Sequence, residues 1–562
     1  MTEKKVFVIG IDGGTFEIIK PNLHKLPTFS KLVKQGASGF LKSTIPPLSP
    51  AAWTSIVTGT NPGRHGIFDF FAETSDGYDL KLSYLKKRKS KAIWHILNEN
   101  GKKTVIVNFP FTYPPEKVNG LMISGLGSPG MESNFTYPNS LKQELLDNVP
   151  DYRIDVDVEE FYLNHKSVFV NDIYQLTEAR KRAVLYLMNE KDWDFFMVIF
   201  VGSDRLQHFL WDTHLQMNTS KGAIRYNVIL KYYELIDSII SEILQKLDEN
   251  TINFIVSDHG FQQVKRDFYI NNWLKSIGLL HLKSQGSFSA WLIKHGFTTE
   301  SSNAVLMRHA HSKWYKIIHK VIPKRLISFF ALNLSNIRKY CDWQKTKAFS
   351  YSFTGQGLRI NLKGREQNGI VNPEEYNDLR DSIAFKLSKL TEPETGRKIV
   401  SKIYKREDIY AGPYLKDAPD LLIQLNDGFA MFGGFGNDIF SNKKDLAQKS
   451  TNGPNGHIWK AAHDINGVFM SFGKDIHPVQ VEANVMDIAP TILHILDIPI
   501  PQMMDGNVLR NIFDTNSVLY NRLEKIEEET RKNEEIEEDE REILTKEEEL
   551  EIMERLKGLG YM

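Results

Sequence analysis

KVFVIGIDGG, residues 5–14, decides the fold. A nearly unbroken apolar run stops at Asp12 and two glycines. A strand with one wet face alternates apolar and polar residues, and this one does not, so it reads as a strand buried on both faces. The same pattern recurs in TVIVNFP (104–110), ending at Asn108, and DFFMVIFVGSD (194–204), ending at Asp204. It returns in INFIVSDHG (252–260), which closes on Asp258 and His259. Segments with helical spacing separate these runs, among them LPTFSKLVKQG (26–36) and IRYNVILKYYELIDSIISEILQKLDE (224–249). Alternation of this kind predicts an α/β chain with a mostly parallel sheet and helices on both faces. Ligands of such sheets bind beyond the carboxyl ends of the strands, where these polar residues fall.

Composition sets the limits around that reading. Hydrophobic residues make up 41% of the 562 and charged residues 25%, which excludes a wholly disordered or fibrous chain. Lys plus Arg equals Asp plus Glu, but residues 521–562 hold 16 acidic against 8 basic side chains. That leaves the rest with 62 basic and 54 acidic, a body suited to anionic substrates and with no need of a stable nucleic-acid partner. A single cysteine, Cys341, excludes a disulfide framework within the chain. No apolar stretch reaches the ~18 residues of a membrane span, and the first residues lack the features of a signal peptide. The expected compartment is therefore the cytoplasm. The chain predicts a core from 1–280 and 341–515, a basic helical insertion at 281–340 and a Glu-rich C-terminal helix at 516–562. Within the insertion, 294–340 hold nine Lys/Arg against Glu300. They read as a cap, or alternatively as a contact with a membrane surface or anionic polymer. Ile536, Ile543 and Leu550 are spaced by seven, which fits a solvated surface helix or a short coil for a partner. Oligomeric state has no signature here.

Four separated places supply metal-ligand residue types. Asp12 follows the first strand. Asp204 and His208 stand at i and i+4, one face of a helix. Asp258 and His259 end another strand, and His463 precedes an apolar run. Carboxylates and imidazoles without thiolates suit zinc or manganese. Ser49, between Leu48 and Pro50, has two compatible readings. It is a helix N-cap followed by Pro, and it is a hydroxyl at a helix start, where a phosphate is favoured.

Taken in order, GIDGG (10–14), LSPAAWTSIVTGTNPGRHGI (48–67), DRLQH (204–208), SDHGF (257–261), AAHDINGVFMSFG (461–473) and MDIAPTILHILDIPIPQMMDG (486–506) resemble the alkaline phosphatase superfamily. The resemblance is to its type I phosphodiesterase/nucleotide pyrophosphatase-like branch and spans residues 5–510. It implies an alkaline-phosphatase-like fold and two divalent metal ions, zinc, with manganese as the alternative. By the family's pattern Asp204, His208 and His463 hold one ion, and Asp12, Asp258 and His259 hold the other, completed by Ser49 Oγ. Ser49 is then the nucleophile of a phosphoserine intermediate, and the reaction is hydrolysis of an anionic phosphate ester.

The sequence also departs from that pattern. Nucleotide pyrophosphatases carry Thr where Ser49 stands, and place an Asn shortly after their HGI motif. Here HGI continues as FDFF (68–71). Asn108 is the substitute candidate for holding phosphate, with Arg205 or Arg64 as cationic contacts. Ser49-Pro50-Ala51-Ala52-Trp53 lacks the arrangement that sulfatases need. A phosphomutase using the same site is the alternative outcome, and a non-catalytic scaffold a third reading.

Overall fold

A computed structural model describes residues 3–73, 80–82, 88–156, 166–215, 227–283, 341–350, 354, 356–435, 438–441, 461–527 and 544–558. Its centre is a sheet of nine strands in the order Val479–Asn484, Ala37–Lys42, Asn466–Phe472, Thr251–Val256, Lys5–Ile11, Phe195–Phe200, Thr104–Phe109, Gly120–Ser124 and Thr136–Tyr137. Lys5–Ile11 pairs in parallel with Phe195–Phe200 on one side and Thr251–Val256 on the other. Every residue of those two neighbours is buried, as their uninterrupted apolar sequences require. Asn466–Phe472 is antiparallel to both of its neighbours. Its start therefore lies at the edge where the parallel strands end. The mostly parallel α/β sheet expected from the sequence is the one observed.

Helices packed against the sheet are fixed by polar contacts as well as by apolar faces. Asp237, on helix Val228–Lys246, accepts from the backbone N–H of Thr28 (3.1 Å) and Phe29 (2.8 Å). It thereby caps helix Pro27–Gln35, whose own N-cap residue Leu26 cannot. A second, smaller core surrounds four antiparallel strands in the order Ala348–Phe349, Gly357–Ile360, Leu421–Leu425 and Val400–Lys405. The antiparallel pair Gly260–Gln263 with Ala461–Asp464 leads from the large sheet towards it.

The acidic C-terminal stretch differs from the single solvated helix expected. Val518–Asn521 makes one turn, and Ile526–Glu527 pairs with Ile500–Pro501. Helix Lys546–Gly558 buries Ile552 and Leu556 in the main core, and Glu548 Oε1 accepts from Tyr113 Oη at 2.8 Å. Two apolar residues four apart put one face of an otherwise acidic helix against the body. Ile536 and Ile543, and the basic segment 294–340, lie outside the described residues. Among the described residues no helix is long and apolar enough to cross a membrane.

Candidate metal and nucleophile centre

The strand ends converge as their pattern implied. Asp12 follows Ile11 directly, and Gly13 takes φ = +64°, a left-handed turn suited to glycine. A Cβ at Gly13 would also stand 2.4 Å from the Phe261 ring, so the glycine lets the turn close. Gly13 N–H then donates to Asp258 Oδ1 at 3.1 Å, tying two strand ends together. Asp204 and His208 lie in the first turns of helix Gly202–Leu215, and His463 sits opposite Phe261 in its strand pair.

Two groups of ligand atoms result, Asp204–His208–His463 and Asp12–Asp258–His259. In the first, His208 Nε2 is 3.0 Å from His463 Nε2 and 3.2 Å from Asp204 Oδ1, while His463 Nε2 is 3.5 Å from that oxygen. In the second, His259 Nε2 is 3.2 Å from Asp258 Oδ2 and 3.8 Å from Asp12 Oδ1. Ser49 Oγ also stands 3.2 Å from His259 Nε2.

These residues fit metal ions. Two atoms bonded to one tetrahedral ion at about 2.05 Å stand about 3.3 Å apart, the scale of the first triangle. His463 Nδ1 is 2.8 Å from the carbonyl of Pro47, and His259 Nδ1 is 3.0 Å from that of Gly260. A carbonyl only accepts, so the proton sits on Nδ1 and each Nε2 keeps its lone pair towards the centre. Among the described residues, buried Asp12 Oδ1 and Asp258 Oδ2 have no hydrogen-bond partner. Burial lowers the pKa of His208 and His463 and takes that of His259 to about 4, which favours the neutral form of each ring. Burial, and then the charge of Asp258, raises Asp12 well above the carboxylate range, and burial takes Asp258 to about 7. For Asp204 burial also acts upward, but His208, His463 and Arg205 outweigh it and hold the carboxylate well below its usual value. Imidazoles whose pKa burial lowers, set among crowded carboxylates, are a donor set that a divalent cation would relieve.

Several residues that the sequence singles out have partners of their own within the fold. Ser49 is the first residue of helix Ser49–Thr58, with Leu48 as its cap, so the Ser49 hydroxyl faces His259 instead of closing the helix end. Arg205, expected as a substrate contact, is 1% exposed. Its Nη1 donates to Asp204 Oδ2 (2.6 Å) and its Nη2 to Asp155 Oδ2 (2.8 Å). It stands behind Asp204 and positions it. Asn108 has φ = +58°, and its Nδ2 donates to the Ile199 carbonyl at 3.4 Å. Arg64 Nε donates to Asp505 Oδ1 at 2.9 Å. Phe70, one of the residues after HGI, is buried against Phe111. Trp53, one turn beyond Ser49, donates Nε1–H to Asp12 Oδ2 at 3.3 Å. The i, i+4 spacing from Ser49 could have revealed Trp53. Asp155 carries no such signal.

Comparison with known proteins bears on what this centre does. The model of the type I phosphodiesterase/nucleotide pyrophosphatase family matches residues 6–455. A GPI ethanolamine phosphate transferase 2 of Kluyveromyces lactis is 26% identical over 104 residues, 18% of this chain and 12% of that protein. Its counterpart in Eremothecium gossypii is 24% identical over 109 residues, 19% of this chain and again 12% of the relative. The chain thus spans about an eighth of the curated relatives it matches. Among solved structures, murine ectonucleotide pyrophosphatase/phosphodiesterase 5, as an inactive variant with AMP, aligns over 91% of this chain and 100% of its own, at 12% identity and a TM-score of 0.46. The human protein aligns over 92% and 100%, at 13% identity and 0.46.

Proposed function

We propose that this chain, which belongs to the type I phosphodiesterase/nucleotide pyrophosphatase family of the alkaline phosphatase superfamily, hydrolyses phosphoric esters through Ser49 and two divalent cations. The observation that carries this reading is Ser49 Oγ, 3.2 Å from His259 Nε2 at a helix start and beside two buried ligand groups. Asp204, His208 and His463 would hold one cation; Asp12, Asp258 and His259 would hold the other. Bound there, the cations supply positive charge that lowers the Ser49 hydroxyl pKa and stabilises the attacking and leaving oxygens. Zinc fits the mixed imidazole and carboxylate donors best, and manganese second.

The chain's own residues do the rest. Gly13 N–H holds Asp258 in place and Trp53 Nε1–H holds Asp12. Arg205 fixes Asp204. Helix Ser49–Thr58 starts at the nucleophile, and a helix N-terminus favours a bound phosphate. Ser49 Oγ attacks phosphorus; the new O–P bond replaces the bond to the ester oxygen, which leaves with its alcohol and takes up a proton. Water then breaks the Ser49–phosphorus bond, releases phosphate or a monoester, and returns the proton to Ser49. Transfer to a second alcohol is the same chemistry with another acceptor, as in a phosphomutase or in the transferases that match a short stretch of the chain.

Nitrophenol and phosphate release from chromogenic mono- and diesters tests this. The chelated protein should be inactive, zinc or manganese should restore turnover, and Ser49→Ala should abolish it while retaining metal. Turnover by Ser49→Ala would reject the nucleophile. Isomer or transfer product without phosphate would replace hydrolysis by transfer.

A further inference from the structure

An open groove begins at Leu48 and His463, beside the nucleophile and the first ligand group, and runs to the small four-stranded sheet. Three of the side chains lining it are glutamines from separate elements, Gln262, Gln356 and Gln424. Each is held by one half of its amide. Gln262 Oε1 accepts from Gly428 N–H (3.1 Å), Gln424 Oε1 from Tyr404 Oη (3.0 Å), and Gln356 Nε2 donates to the Ile423 carbonyl (3.2 Å). Among the described residues that leaves Nε2 of Gln262 and Gln424, and Oε1 of Gln356, without a partner. Between them lie apolar walls, Leu48 and Met431 among them, and no described lining residue is Lys or Arg.

We propose that this groove is the subsite for the organic group of the phosphate ester, and that it takes an uncharged polyhydroxylated group of the sugar or polyol class. This rests on the phosphoric ester reading above. Two fixed donors and one fixed acceptor match hydroxyls, which both donate and accept. The apolar walls match the C–H face of a sugar. A second phosphate or a carboxylate would enter a groove whose described lining offers it no cation, beside the Asp464 carboxyl.

Calorimetric titration of the zinc-loaded Ser49→Ala protein with methyl phosphate, glucose 6-phosphate and 2-phosphoglycolate reads the groove without turnover. Glucose 6-phosphate should bind about tenfold more tightly than methyl phosphate, the return on a few net hydrogen bonds. Phosphoglycolate should bind no better than methyl phosphate. Adding Gln356→Glu with Gln424→Glu, or Met431→Trp to fill the groove, should bring the ratio of glucose 6-phosphate to methyl phosphate affinity down towards one. Equal affinities for all three probes, or a preference that survives both variants, would overturn the subsite while leaving the hydrolase reading intact. The predicted preference in a wild-type enzyme that turns over no ester would uphold the subsite and sink the hydrolase. Failure of all three to bind would overturn both.

Discussion

Replacing Arg205 by Met keeps most of the side chain's volume and removes one buried cation. That cation joins two carboxylates, at 2.6 Å to Asp204 and 2.8 Å to Asp155, and the side chains are 1%, 0% and 5% exposed. Removing one partner of a buried pair costs about 3–5 kcal/mol, because the remaining charge stays out of water. In the chelated variant both Asp204 and Asp155 lose Arg205, so the full cost is expected. In the metal-loaded variant Asp204 regains a positive neighbour and only Asp155 is stranded, so the deficit should shrink. Metal affinity should fall about 10–100-fold, as for other residues that orient a ligand. Urea denaturation with and without chelator, and zinc titration against a competing chelator, measure the two effects. A chelated variant within about 1 kcal/mol of the parent, with unchanged zinc affinity, would refute the claim that Arg205 holds Asp204 for the metal.

Other perturbations have equally definite outcomes. His65 is buried; burial and then the charge of Arg88 lower its pKa to about 3 from 6.5. Between about pH 3 and 6.5 the unfolded chain binds a proton there that the folded chain does not. Stability from this group is therefore full above pH 6.5 and declines as pH falls. His65→Gln should cut the slope of stability against pH in that window by about one proton, and an unchanged slope would show that His65 is charged in the fold. Ile552→Asp with Leu556→Asp should free the C-terminal helix, at about 2–5 kcal/mol per buried side chain, read as earlier proteolytic loss of that helix. A variant as resistant as the parent would place the helix off the core. Gly39→Ala should unseat strand Val479–Asn484, since the new Cβ would stand 1.7 Å from the Val481 carbonyl oxygen. A structure with that pairing intact would contradict it.

Which parts were legible follows from where the physical signal lies. Asp12, Asp204 and Asp258 stood out because each ends a run too apolar to need an acid, and parallel strands bring such ends together. His463 was legible as a ligand type ahead of an apolar run, but its position beside the others was not. Its place depends on an antiparallel strand inserted beside Thr251–Val256, which no local pattern announces. Asp155 lies in DYRIDVDVEE (151–160), where one acid looks like the others until its partner, 50 positions away, is seen. An ion pair in the small sheet stayed hidden for a similar reason. Arg365, half-buried, and Asp420, buried, pair there at 2.6 Å and are charges that a hydropathy reading sends to the surface. The groove's glutamines come from three strands or strand ends and have no common motif.

The central claim is that Ser49 takes the phosphoryl group. Mass spectrometry of the zinc-loaded enzyme, acid-quenched during turnover of a phosphate ester and digested, addresses it directly. The account predicts a phosphoryl group on the peptide carrying Ser49, absent from Ser49→Ala and from chelated enzyme. Steady release of product with that peptide never modified, and with Ser49→Ala still active, would contradict it.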